Sequence, residues 1–297
     1  MGVFKTLFFS SLLISTAFIA FQILDKEDIS HIKNLPYKKV GNKTAKTMLI
    51  FLHGYPNTLN LWNDLTEKLK SKYLCISISY PNYSEELKLR WGLSFEQIVP
   101  LIKKTIDLVQ ENNKSSNANY EKVLIGHDWG SILTFKTENA YGTYFKEIWS
   151  FDVTMQIDDS KIQNRLMAVT YQTYLASAFF IGGPIGNKMT RLFYNLIKSK
   201  IYGNTEEDNE RIDSSWNYFY FYLYRNIFQF REQAMMYKSK VPIVYMYGKD
   251  KRFMFHSAKF LEMLSTTANS EVHELEGDHW FMAKNLDFIV DKINKRN

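Results

Sequence analysis

The most restrictive feature of this chain is the run Val123-Leu124-Ile125-Gly126-His127-Asp128-Trp129-Gly130-Ser131. A short apolar stretch of strand type enters Gly-Xaa-Asp-Xaa-Gly, and a pattern with helical period follows over Ser131–Tyr141. A junction of this kind holds its central side chain on a tight, strained turn at the edge of a sheet, where it projects as a nucleophile. Glycines two residues before and after give the turn room and let the helix pack close. The plainer alternative is an ordinary strand–turn–helix in which Asp128 serves only as a helix N-cap.

The rest of the chain supplies the setting for such a turn. Met48–Leu52, Leu74–Ile78, Val123–Ile125, Ile148–Phe151 and Val241–Met246 read as short buried strands, with a weaker one at Val272–Leu275. Helical periodicity over Leu61–Leu69, Phe95–Val109, Ser131–Tyr141 and Ala258–Leu264 lies between them. Alternation of this kind predicts a mainly parallel sheet with helices on both faces, and ligands at the carboxyl ends of its strands. It stops over about 155–235, where the sequence is rich in Tyr, Phe and Met and reads as helical at Gln163–Phe180, Met189–Lys200 and Trp216–Met236. We read this as a cap inserted into one domain spanning 31–297. The glycine-rich Gly182-Gly183-Pro184-Ile185-Gly186 follows no strand and reads as a loop.

Composition narrows the function classes. The net charge of +6, from 37 basic and 31 acidic residues, is spread along the chain and reads as solvated surface rather than a nucleic-acid track. The single cysteine, Cys75, sits in a strand pattern as a small buried hydrophobe. No Cys/His cluster of zinc-binding type, phosphate loop or dinucleotide fingerprint is present, so no metal or cofactor is expected. Residues 1–30 stand apart. Leu7–Leu24 is 18 residues without a charge, nearly enough at 1.5 Å per residue to cross a bilayer core of roughly 30 Å. We expect a single-pass membrane anchor. The alternative is a signal peptide cleaved near Ser15 and Ala17. Topology is not readable, because Lys5 precedes the segment and Lys26, Lys33, Lys38 and Lys39 follow it.

Three further positions complete a reaction centre around Asp128. His53-Gly54-Tyr55-Pro56 follows a strand, and the sharp turn it forms can aim backbone N–H groups at an oxyanion; Tyr55 and Trp129 are the expected donors. The His53 imidazole is expected to be satisfied by local backbone. His279, in Gly277-Asp278-His279-Trp280, lies where the last loop meets Asp128 and suits a general base. Asp250, just past the strand ending at Met246, is the expected partner of His279; Asp152, at the end of Ile148–Phe151, is its rival.

These blocks together resemble the epoxide hydrolase family of α/β hydrolases, over most of residues 35–297. The resemblance implies an α/β-hydrolase fold with a helical cap. It implies attack by Asp128 on a small apolar epoxide, then hydrolysis of the resulting ester by water activated by His279 and Asp250. It also implies two cap tyrosines that hold the epoxide oxygen: Tyr171, in Tyr171-Gln172-Thr173-Tyr174, and Tyr224, in Tyr224-Arg225-Asn226. The family's usual Asp-Xaa-Arg-Gly-Xaa-Gly-Xaa-Ser segment is replaced here by Ser79-Tyr80-Pro81-Asn82-Tyr83-Ser84, which bears on substrate preference rather than mechanism. Haloalkane and fluoroacetate dehalogenases share the aspartate motif more loosely. In that alternative Trp129 holds the halide, although Tyr55 stands where many such enzymes carry a second donor, Asn. An alternative of another class is a catalytically silent, membrane-tethered binding protein, against which the joint presence of Asp128, Asp250 and His279 argues.

Overall fold

The computed structural model describes residues 28–113, 119–157, 162–251 and 253–297. The expected anchor, Leu7–Leu24, lies outside them. Among the described residues no helix is long and apolar enough to cross a membrane.

A seven-stranded sheet organises the chain. In sequence its strands are β1 (Tyr37–Gly41), β2 (Thr47–Leu52), β3 (Leu74–Ile78), β4 (Glu121–His127), β5 (Glu147–Phe151), β6 (Ile243–Gly248) and β7 (Glu271–Leu275). Their order across the sheet is β1-β3-β2-β4-β5-β6-β7, and only the edge strand β1 runs antiparallel. Every residue of β2, β3, β5 and β6 is buried, as parallel strands covered on both faces require. Successive side chains enter opposite layers. Ile50, Ile76, Leu124, Ile148 and Tyr245 pack on one face; Leu49, Cys75, Val123, Trp149 and Val244 pack on the other.

Helices α1 (Asn63–Leu69), α2 (Phe95–Glu111) and α3 (Trp129–Tyr141) connect the early strands. A capping box between Ser94 and Gln97 starts α2. Between β5 and β6 the chain forms α4 (Ile162–Ile181), α5 (Gly183–Ile197), α6 (Glu206–Arg211), α7 (Tyr218–Arg225) and α8 (Ile227–Met236); α9 (Ala258–Thr266) and α10 (Met282–Arg296) follow. The glycine-rich segment differs from its expected loop. Gly182 and Gly183 break the backbone, at φ +61° and +53°, and Gly183–Gly186 already opens α5. Pro184 suits its first turn, whose N–H groups have no helical acceptor. The stretch Trp216–Met236 is likewise divided, at Asn226.

Strand register decides where the chemistry can lie. Leu52 pairs with Gly126, His127 with Phe151, and Gly248 with Leu275. The carboxyl ends of β2, β4, β5, β6 and β7 therefore meet along one edge, beneath α4 and α7.

Candidate active site

Asp128 occupies the turn between β4 and α3 with φ +56° and ψ −121°, a left-handed conformation unfavourable for any residue with a Cβ. Its side chain makes no capping hydrogen bond, which removes the N-cap alternative. The neighbouring glycines are there for space. A methyl group on Gly126 would strike the Gly130 carbonyl, one on Gly130 the Leu52 carbonyl, and one on Gly54 the Asp128 side chain itself. Ser131 ties the turn to the next strand by donating from Oγ to the carbonyls of Gly126 (2.8 Å) and Phe151 (3.0 Å).

The two oxygens of the Asp128 carboxylate face different partners. Oδ1 accepts the Tyr55 N–H at 2.9 Å, and the carboxylate also receives the Trp129 N–H. Oδ2 lies 3.6 Å from Nε2 of His279. Burial pushes this carboxyl above the usual carboxylate range, while His279 and the two backbone N–H groups pull it back. Tyr55 is set by a buried loop: the Tyr80 hydroxyl donates to the His53 carbonyl at 3.0 Å, and Nδ1 of His53 sits 3.1 Å from the Gly54 carbonyl. Burial holds the His53 ring neutral, with its pKa lowered to about 4. The segment Ser79–Ser84 thus braces the His53–Tyr55 turn, since the Tyr80 and Tyr83 rings enclose His53 at 4.4 and 4.9 Å.

The partner of His279 is Asp152, not Asp250. Nδ1 of His279 meets Oδ2 of Asp152 at 2.5 Å. Asp152 follows β5 with φ +72°, which turns its side chain back over the strand ends, and it is fully buried. Asp250 is held elsewhere: its Oδ2 accepts the Gly277 N–H and its own N–H donates to the Gly277 carbonyl, each at 2.9 Å. It braces the loop that carries His279. Burial alone would raise the Asp152 carboxyl, but His279 and Lys251 overcome this and hold it below the usual range. Lys251 is a member of the cluster that the sequence did not reveal; its ammonium binds Oδ1 of Asp152 and its side chain is only 6% exposed. His127 completes the frame. Its Nε2 contacts the His279 carbonyl at 2.9 Å, and burial keeps the ring neutral, with a pKa of about 3.

Above Asp128 a mainly apolar cleft of about 50 Å³ is lined by Trp129, Ile132, Val153, Tyr171, Leu223, Phe230 and others. Tyr171 and Gln172 enter it from α4, and Tyr220 from α7. Tyr224 sits one helical turn beyond Tyr220 and is joined to the cleft through Gln172: its hydroxyl donates to Gln172 Oε1 (3.2 Å), and Gln172 Nε2 donates to the Tyr171 hydroxyl (3.3 Å). The phenol of Tyr171 is pushed up by burial and by the Asp128 charge, and that of Tyr224 by burial to about 12. Tyr220 escaped notice in the sequence because Tyr218, Tyr222 and Tyr224 crowd it; its spacing of four from Tyr224, on one helix face, was the available signal. Among the described residues no cluster of His, Cys, Asp or Glu suits a metal ion.

The fold is the α/β-hydrolase fold, and Asp128 stands on the turn between β4 and α3. No family model matches the chain. Its sequence is similar to epoxide hydrolase 1 of Caenorhabditis elegans, 20% identical over 299 residues, covering 92% of this chain and 71% of that one. Its structure is similar to a mutant epoxide hydrolase from Bacillus megaterium (TM-score 0.64, 17% identity, covering 88% of this chain and 95% of that one). It is also similar to a haloalkane dehalogenase variant from Bradyrhizobium elkanii (TM-score 0.62, 14% identity, 86% and 90%). The resemblance to epoxide hydrolases read from short motifs thus extends over nearly the whole chain, and these relatives are hydrolytic enzymes.

Proposed function

We propose that the protein is an epoxide hydrolase that works through a covalent ester on Asp128. The observation that carries this reading is the division of the Asp128 carboxylate between two environments, one oxygen under the Tyr55 backbone N–H and the other open toward His279 and the cleft. Oδ2 attacks a ring carbon, and the ring C–O bond breaks as its oxygen takes a proton from a cap tyrosine. Tyr171 is the donor that the cleft presents, with Tyr224 or Tyr220 as the second. Negative charge leaves Asp128 as it appears on the epoxide oxygen, so the charge that disfavours ionisation of Tyr171 in the free enzyme fades along the reaction.

His279 then removes a proton from water, whose oxygen bonds to Cγ of Asp128. The oxyanion forms on Oδ1, already under the Tyr55 N–H, and the Trp129 N–H also bonds this carboxyl. Collapse breaks the bond between Cγ and the alkyl oxygen, which leaves with the proton from His279 as a diol. The proton freed by the restored carboxylate returns to the tyrosinate. An aspartate nucleophile disfavours acyl substrates, because they would give an anhydride. Alkyl electrophiles give an ester that water opens at its carbonyl carbon.

The cleft holds only a few waters, so an epoxide of any size enters by displacement of α4, α7 or the Phe230 side chain. A second reading, haloalkane dehalogenation, is favoured by the Trp129 indole, which lines the cleft beside Asp128. One experiment separates the two. His279→Gln is treated with styrene oxide or with 1-bromobutane and its intact mass recorded. A gain of the whole epoxide mass, absent in Asp128→Ala, is expected. A gain from the bromoalkane alone, less hydrogen bromide, would replace this reading with the second; no adduct from either would overturn both. We also propose that Leu7–Leu24 holds the enzyme at a membrane, with the outward Ile185, Leu192, Leu196 and Phe228 of the cap as supporting apolar surface. Flotation of the full chain with phosphatidylcholine vesicles is the expected result, and recovery in the unbound fraction would refute it.

A further inference from the structure

Lys251 has no place in the mechanism above, yet among the described residues it is the most enclosed cation near the site. Its side chain is 6% exposed, its ammonium lies on Oδ1 of a fully buried carboxylate, and the Phe255 ring is 5.1 Å away. The other oxygen of that carboxylate holds His279. Isolated buried ammonium groups are expensive, so this position is occupied only because Asp152 neutralises it. The two groups form one unit, and the unit touches the base.

On the reading of the site given above, we propose that Lys251 is a positioning residue that sets the basicity of His279 through Asp152: its ammonium opposes the charge His279 gains on taking a proton from water, and it fixes Oδ2 toward Nδ1. The charge balance sets the direction of the effect. In the ester only Asp152 and Lys251 face the neutral base, for a net charge of zero. Once water has added, the oxyanion on Oδ1 brings the net charge beside the imidazolium to −1. A neutral residue at 251 would make it −2 and hold the proton on His279 against return to the departing alkoxide.

The other groups facing this unit, among the described residues, do not substitute for Lys251. His127, 4.5 Å from the His279 ring between centroids, is held neutral by burial. Tyr245 donates its hydroxyl to the Asp152 carbonyl and shares a 2.9 Å contact with Nδ1 of His256, at the far side of the strand end. Asp278 acts on Lys251 through space only. Asp250 is engaged with Gly277.

The test uses Lys251→Gln, which keeps a donor for Oδ1 without the charge, and Lys251→Arg, which keeps the charge. The first readout is decay of the alkyl-enzyme in single-turnover mass measurements against pH. The acid limb is expected to move up by about one pH unit in Lys251→Gln, about a tenfold slower decay on that limb with little change at the plateau, and to return in Lys251→Arg. The second readout, which needs no substrate, is the NMR titration of the His279 ring in the free protein, whose midpoint is expected to rise in Lys251→Gln and not in Lys251→Arg. If both readouts in Lys251→Gln match the wild type, or activity falls equally at all pH values, the proposal is overturned. If the wild type forms no adduct with an epoxide, the functional reading fails, and the NMR titration still decides whether Lys251 tunes the base.

Discussion

Replacing Asp152 by asparagine gives the most direct measure of the site's logic. Lys251 binds Oδ1 of Asp152, so the amide of an asparagine there would place its oxygen toward the ammonium and its NH2 toward Nδ1 of His279. Nδ1 must then accept, which moves the ring proton to Nε2, the atom that should take a proton from water. A wrong tautomer of this kind costs about 10⁴ in turnover in a triad of comparable design. In the proposed mechanism attack by Asp128 on the epoxide does not use His279 as a base, so ester formation should continue. The expected result is a burst of one equivalent followed by accumulation of the alkyl-enzyme, read by rapid quench and intact mass. Asp250→Asn loses charge only from a contact with the Gly277 N–H, worth about 1–3 kcal/mol, and should turn over within about tenfold of the wild type. Folding must be checked, because the neutral amide leaves the Lys251 ammonium buried without a counterion, at a cost of about 3–5 kcal/mol. The double variant Asp152→Asn/Lys251→Met removes that cost and should recover stability without recovering turnover. Accumulated ester in Asp250→Asn together with normal turnover in Asp152→Asn would refute this assignment of the dyad.

Other consequences can be checked separately. Asp128→Asn should raise the melting temperature at neutral pH, by about 2–4 °C for each kcal/mol relieved. Because the folded-state pKa of Asp128 is raised, its ionisation opposes folding above that pKa, so the gain should shrink as pH falls toward 3.8. Tyr171→Phe should slow ester formation by about 10² or more while leaving ester hydrolysis intact; of Tyr220→Phe and Tyr224→Phe, the one that slows the same step comparably is the second donor, and no effect from any of the three would remove the tyrosines from the mechanism. Burial pushes Glu271 up, but Lys292, His273 and Arg296 bring it down to about 2. A depressed carboxyl contributes stability above its unfolded pKa that is lost as pH falls from about 4.5 to about 2. Arg296→Met should therefore shift the acid-unfolding midpoint upward in a circular-dichroism titration, and an unchanged midpoint would show that the Glu271 cluster does not stabilise the fold.

What the sequence revealed and what it concealed differ in range. The turn at Asp128 was legible because its requirements are local: a strand, two glycines at fixed spacing and a helix, with each glycine explained by a carbonyl that a Cβ would strike. The buried strands were legible as continuous apolar runs, whereas β1, half exposed and with two lysines, carried no such mark. The choice between Asp152 and Asp250 was not local. Both follow strands, and β5 and β6 are neighbours in the sheet, so both carboxylates start near His279. Two backbone details separate them. Asp152 adopts a left-handed conformation that turns its side chain inward, and Asp250 is captured by the Gly277 N–H of the very loop it was expected to serve. Lys251 was hidden for the same reason: in a run of Lys-Asp-Lys each lysine looks solvated, and only the register of β6 against β5 sends one to Glu276 at the surface and the other to a buried carboxylate. The residues proposed to make bonds were thus readable from chain-local geometry. Those proposed to set their charge and tautomer depend on which strand ends the sheet brings together, so substitution at Asp152 and Lys251 tests the fold and the chemistry at once.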